Sequence, residues 1–154
     1  MSNKILIIGQ APPAQAQKVP YDTTMLYDWL ALAGSEINKS NANDKCDFFA
    51  VCDVFTGFGD GGHLPPTLQQ MTECYERYLR QQIAIHQRIW IVGAVAKKFL
   101  QDKIPSDKVI LHTIHPSKRC YNHFMLNKAL IISQIKGFLG SDAPPPTEKQ
   151  IAMF

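Results

Sequence analysis

The segment best equipped for chemistry is His115-Pro116-Ser117-Lys118-Arg119. An imidazole held at a fixed point can donate a hydrogen bond to an anion that develops during a reaction; a purely structural histidine is the plain alternative. Pro116 stiffens the chain where it leaves the histidine. Ser117, Lys118 and Arg119 offer one hydroxyl and two cations to phosphate oxygens. His112 would share a strand face with Ile114 and reads as structural.

Two other segments carry candidate groups. The first runs from Gly9-Gln10-Ala11-Pro12-Pro13 to Tyr21-Asp22. Gly9 permits a sharp turn, and the two prolines fix the backbone without leaving an N–H to satisfy. The Tyr21 ring can stack on a flat ligand. Asp22 either supplies a carboxylate near a helix N-terminus or simply caps that helix. An ordinary strand-to-helix turn is the plain alternative for the whole segment. The second runs from Asp53 to Pro66 and packs four glycines into six residues at Gly57–Gly62. Such a loop can bring backbone amides to a phosphate. No Lys-Ser or Lys-Thr follows, so it is not a P-loop, and a plain surface loop is the alternative. His63 reads as a loop residue. The four cysteines, Cys46, Cys52, Cys74 and Cys120, include no C-x-x-C pair. They read as reduced, mostly buried thiols, since a zinc or iron–sulfur site needs tighter clusters.

These segments need a scaffold. Four short apolar runs predict strands at Lys4–Gly9, Asp47–Cys52, Ile89–Val92 and Val109–Ile114. Helical patterns follow each of them, at Thr23–Ala33, Leu68–His86, Ala94–Gln101 and Asn122–Leu139. Asp22 or Thr23 can cap the first helix and Gly34 suits its end. The second should present Leu68, Met71, Tyr75, Leu79 and Ile83 on one face. Strand followed by helix four times predicts an α/β fold: a four-stranded parallel sheet covered on both faces, three layers α/β/α. In such sheets ligands bind beyond the carboxyl ends of the strands, where strand order reverses. All three candidate segments lie just after a predicted strand.

The remaining arithmetic agrees with one globular domain. The chain has 154 residues, 45% apolar and 19% charged, an ordinary balance that excludes bulk disorder. It has no apolar run long enough to span a bilayer and no signal-peptide pattern, which predicts a cytoplasmic protein. The net charge of +3 is too small to announce a nucleic-acid binder. It is unevenly spread, however. Residues 1–60 hold four basic and seven acidic side chains, whereas residues 61–154 hold twelve and six. The basic half can meet a polyanion or form solvated helix faces.

Taken together, the three loops resemble the uracil-DNA glycosylase superfamily. Gly9-Gln10-Ala11-Pro12 is similar to its first motif, Gly-Gln/Glu-x-Pro, and His115-Pro116-Ser117 to its second, more than a hundred residues later. Val19-Pro20-Tyr21 resembles the Pro-Phe element whose ring stacks on a flipped base. Pro66-Thr67 through Glu73–Leu79, and Ile-Trp-Ile-Val-Gly-Ala at 89–94, resemble a helix and strand of the thermostable iron–sulfur branch. The resemblance covers roughly residues 4–139. It implies a uracil-DNA glycosylase-like domain over residues 1–140 and a monomeric repair enzyme acting on DNA. The enzyme would flip a damaged base into a pocket and hydrolyse its N-glycosidic bond without metal or cofactor. His115 would hydrogen-bond the base O2, Tyr21 would stack, and Gln10 with the Gly9–Pro12 backbone would form the pocket wall. Ser117, Lys118 and Arg119 would grip the DNA backbone.

The departures from the family pattern bear on substrate and activity. Ala11 stands where one branch has the Asp that positions the attacking water, and Asp22 is the candidate substitute. Asp53 stands where the superfamily reads uracil with an Asn. An ionised carboxylate cannot donate to uracil O4, so a base presenting an amino group, or another lesion, becomes an alternative substrate. Only Cys74 matches a cluster-ligand position, which implies no iron–sulfur cluster. A member that binds DNA or a base without hydrolysis, and an unrelated nucleotide-handling hydrolase, are the competing readings. Residues 141–154 read as an extended proline-rich tail. Its end, Gln150-Ile151-Ala152-Met153-Phe154, is similar to the bacterial sliding-clamp-binding pentapeptide. An extended peptide with an amide anchor and apolar side chains suits a groove on a partner. Folding back on its own domain is the alternative.

Overall fold

The computed structural model describes residues 2–10, 24–52, 65–116 and 120–140. Four parallel strands form one sheet: β1 (Ser2–Gly9), β2 (Cys46–Ala50), β3 (His86–Val92) and β4 (Val109–Thr113), in the order β2-β1-β3-β4. β1 pairs with β2 from Ile5↔Cys46 to Gly9↔Ala50, and with β3 through Leu6↔Ile89 and Ile8↔Ile91. β3 pairs with β4 from Arg88↔Val109 to Val92↔Thr113. Sequence order runs outward in opposite directions from the β1–β3 pair, so the topological switch lies between those two strands.

The run Ile5-Leu6-Ile7-Ile8 has no polar alternation because both of its faces are covered. On one face Ile5, Ile7, Trp90, Val92 and Leu111 pack with Leu26, Trp29 and Leu30 of α1 (Thr24–Leu32) and with Ile131, Ile135 and Phe138 of α7 (Lys128–Gly140). On the other, Leu6, Ile8, Ile89 and Ile91 pack with Leu79, Ile83, Ala96, Phe99 and Leu100. This is the three-layer α/β/α arrangement expected from the repeating pattern. No described helix is long and apolar enough to cross a membrane.

Local sequence explains two of the helix ends directly. α1 stops in a Schellman motif: Ser35 N–H bonds the Leu30 carbonyl, Gly34 N–H bonds that of Ala31, and Gly34 takes φ +80°. α3 (Leu68–Cys74) starts with a capping box, in which Thr67 Oγ1 accepts from Gln70 N–H and Gln70 Oε1 accepts from Thr67 N–H. The residues proposed to cap α1, Asp22 and Thr23, lie outside the described residues.

Three expectations need correction. The helix predicted at Leu68–His86 is α3, then a π-helical segment at Tyr75–Leu79, then α4 (Arg80–Ile85). Its apolar stripe holds from the half-buried Met71 and Tyr75 to the buried Leu79 and Ile83. It fails at Leu68, which is 69% exposed at the start of the helix. The helix predicted at Asn122–Leu139 is two helices, α6 (Tyr121–Leu126) and α7. Asn127 divides them: its N–H bonds the carbonyls of His123 and Phe124, and its side-chain amide donates to His123 O as well. That local capping competes with helix continuation. Strand β3 starts three residues before the expected Ile89, because His86 is drawn into the sheet by Asp47 of β2, at 2.7 Å. A short helix, α2 (Ala42–Lys45), precedes β2 and was not expected.

Candidate active site

Parallel pairing puts all four carboxyl ends along one edge of the sheet, and the candidate residues that are described gather there. β1 ends at Gly9, whose carbonyl accepts from Val51 N–H at 2.9 Å, and the half-buried Gln10 follows. β4 ends at Thr113, and half-buried His115 follows two residues later. β3 lies between them. It ends at Val92 and passes through Gly93 into α5 (Ala94–Leu100). Gly9, Gln10 and His115 therefore border the carboxyl edge next to the switch point. Ala11, Pro12, Tyr21, Asp22, Asp53, Ser117, Lys118 and Arg119 lie outside the described residues. So do Gln150, Ile151, Met153 and Phe154 of the tail.

Gly93 is a site residue that the sequence reading did not single out. Its φ of +92° is costly for any residue with a Cβ. A Cβ built there would stand 3.8 Å from the His115 Cβ, so the two backbones run side by side. Gly93 N–H donates to Thr113 O at 2.9 Å. One more bond beyond the regular ladder thus carries the β3–β4 pairing up to the histidine. The readable signal was a lone glycine between a strand and a helix, a frequent mark of close backbone approach.

The backbone before His115 is fixed from the core side. Trp90, fully buried on β3, donates from Nε1 to Thr113 Oγ1 at 2.9 Å, and the Thr113 hydroxyl lies 2.9 Å from Ile114 O. Phe138 and Trp90 pack in a T-shaped arrangement, with ring centroids 6.4 Å apart. After the histidine, buried Pro116 restricts His115 to extended backbone. The imidazole therefore sits on a well-defined stretch of chain, half-open to solvent, where an N–H can point at a ligand.

His112 behaves as a core residue. It is 5% exposed, and neither ring nitrogen has a hydrogen-bond partner among the described residues. Burial and the nearby Lys97 cation push its pKa down to about 4. The unfolded chain, with an ordinary pKa near 6.5, takes up this proton first as the pH falls. His112 therefore contributes stability present above about pH 6.5 and lost as the pH falls towards 4. The expected loss between pH 7 and pH 5 is about 2 kcal/mol, read from denaturant midpoints. His112→Leu should remove this part of the slope. An unchanged pH profile in that variant would contradict the assignment.

Cys46, Cys52 and Cys74 are buried and form no disulfide among the described residues. Burial, aided by the Asp47 carboxylate, pushes the Cys46 thiol up to about 12, far from the thiolate needed for attack. Cys120 is a free, half-buried thiol. No group of three or more potential metal ligands occurs among the described residues.

What remains among the described residues is a half-buried histidine just beyond the end of β4, at the same carboxyl edge of the sheet as Gly9 and Gln10. No curated protein matches the chain. The family model of the uracil DNA glycosylase superfamily matches residues 2–136, which include all four strands and both motif segments. The chain belongs to the uracil DNA glycosylase superfamily.

Proposed function

We propose that the protein is a DNA repair glycosylase. It hydrolyses the N-glycosidic bond of a flipped base, either uracil or another deaminated or modified base. The observation that carries this reading is the braced, half-buried His115 at the carboxyl end of β4, in a chain of this superfamily. Breaking the bond leaves a cationic sugar and a base anion. A His115 N–H directed at base O2 lowers the cost of that anion. Gly9, Gln10, Ala11 and Pro12 form the wall, Tyr21 stacks on the base, and Asp53 reads its polar edge. Asp22 holds the water that attacks the sugar carbon in place of a carboxylate at Ala11. Ser117, Lys118 and Arg119 hold phosphates on either side of the flipped nucleotide. The reading calls for no metal or cofactor.

A lesion panel tests it. Single- and double-stranded oligonucleotides carrying uracil, hypoxanthine, xanthine or alkylated bases are incubated with the protein, then treated with alkali to cut abasic sites. Scission at one or more lesions supports the glycosylase. Ala11 and Asp53, which replace family groups for water and base, favour one alternative: a member that binds without hydrolysing. No scission anywhere, with DNA binding that weakens steeply with salt, would establish that alternative.

The tail supplies a second, separable element. Gln150, Ile151, Met153 and Phe154 form a docking peptide for the bacterial sliding clamp, tethered to a monomeric domain by a proline spacer. Deleting residues 150–154 is expected to abolish capture by immobilised clamp while leaving base release on short oligonucleotides unchanged. Equal capture with and without the five residues rules the element out.

A further inference from the structure

The hydrogen bonds around Thr113 have a direction that bears on His115. A threonine hydroxyl has one hydrogen and two lone pairs. The Trp90 indole N–H can only donate, so it occupies a lone pair of Thr113 Oγ1. The hydroxyl hydrogen is then free to point at Ile114 O, 2.9 Å away. That carbonyl belongs to the peptide that also carries the His115 nitrogen. The preceding peptide is tied as well, through Gly93 N–H to Thr113 O at 2.9 Å. Both peptide planes that lead into His115 are thereby fixed, one by the backbone amide of Gly93 just after β3 and one by the Trp90 indole on β3 acting through a hydroxyl. Trp90 and Thr113 are themselves held in the core, at 0% and 4% exposure.

We propose that Trp90 and Thr113 are positioning residues for His115, setting the direction in which its imidazole meets the leaving base. The proposal rests on the reading of His115 given under the proposed function. The chain of contact is Trp90 Nε1–H to Thr113 Oγ1, Thr113 O–H to Ile114 O, then the Ile114–His115 peptide, and finally the His115 Cα–Cβ bond. Neither Trp90 nor Thr113 needs to reach the substrate. An oxyanion-type donor works only when it is aimed before the charge appears, and small misplacements of such groups are costly.

The experiment uses the full chain with Thr113→Val, Thr113→Ser, Trp90→Phe and the Trp90→Phe/Thr113→Val double variant. Steady-state base release is measured on the substrate found in the lesion panel. Imidazole 15N–1H spectra are recorded in parallel, with the His115 signals identified by their loss in His115→Ala. Valine keeps the shape of threonine but cannot accept from Trp90 or donate to Ile114 O. Thr113→Val should lower kcat by about 10- to 100-fold with little change in KM. Thr113→Ser, which keeps the hydroxyl, should stay within about threefold of the parent. Trp90→Phe should lower kcat in the same direction by a smaller factor. The double variant should be no worse than Thr113→Val, because both act through one path. The His115 ring signals should shift in Thr113→Val and Trp90→Phe and stay in place in Thr113→Ser.

Parent-like kcat with unshifted His115 signals in Thr113→Val overturns the proposal, as does a serine variant as impaired as the valine one. If Thr113→Val fails to fold, Trp90→Phe decides by the same two readouts. If the unsubstituted protein releases no base, the glycosylase reading fails. The ring signals alone then decide whether Trp90 and Thr113 orient His115, and unshifted signals reject it.

Discussion

His115→Ala is expected to lower the rate of base release by about 100- to 1,000-fold, the usual cost of removing one preorganised donor to a developing anion. The loss should fall on kcat. A donor that strengthens as charge builds on the base acts in the transition state and contributes little to ground-state binding. Affinity for undamaged DNA should hardly change, since in this reading it rests on the phosphate contacts of Ser117, Lys118 and Arg119. The fold should also survive, because His115 is half-buried beyond the end of β4 and outside both apolar clusters. His115→Gln, which keeps an N–H but not the imidazole, should recover part of the lost rate. Release by His115→Ala within about threefold of the parent would remove the histidine from the mechanism.

Much of this site was legible from sequence because of where strands end. The runs at 4–9 and 109–114 are apolar enough to reveal interior strands, and a parallel sheet sends both of their exits to one edge. Gly9, Gln10 and His115 could be assigned to that edge before any pairing was known. The bracing of His115 was not legible in the same way. Trp90 and Thr113 are 23 positions apart and meet only through the β3–β4 register, and a buried tryptophan in an apolar run reads simply as core. Gly93 gave a local hint, but its neighbour on the adjacent chain segment, His115, is set by the same register.

Two of the misjudged element boundaries share one physical origin. Periodicity reports how a segment meets the core as a whole, whereas an element's ends answer to single polar contacts. Asn127 interrupts an apolar pattern that would otherwise suit one long helix, because its amide and backbone N–H close off α6. His86 resembles the last residue of a helix until Asp47, 39 positions earlier, claims its ring for the sheet. The π-helical segment at Tyr75–Leu79 leaves the composition of the run unchanged and gives no sequence signal at all.

Asp47→Ala is expected to destabilise the fold while leaving the chemistry at the far edge of the sheet intact. His86 is fully buried, with Nδ1 2.7 Å from Gln82 O and Nε2 2.7 Å from Asp47 Oδ2. Both ring nitrogens are thus held, one by a backbone carbonyl and one by a side-chain carboxyl group across the sheet. Lys4 lies 3.6 Å from the same carboxylate and also donates to Asn43 O, but it is well exposed and adds little. Removing Asp47 leaves a buried imidazole nitrogen without its hydrogen-bond partner. Because the Asp47 side chain is about one-third exposed, the cost should be that of one lost buried hydrogen-bond partner, about 2 kcal/mol. For a domain of this size that corresponds to a fall in Tm of about 4–8 °C. Asp47→Asn keeps an acceptor oxygen and should lose less. The pair joins the start of β2 to the α4–β3 junction, roughly 20 Å along the strands from His115, so base release below the melting transition should be unaffected. A Tm within about 2 °C of the parent would show that the pair is not holding this edge of the sheet. A parallel fall in kcat at low temperature would show instead that the two edges communicate.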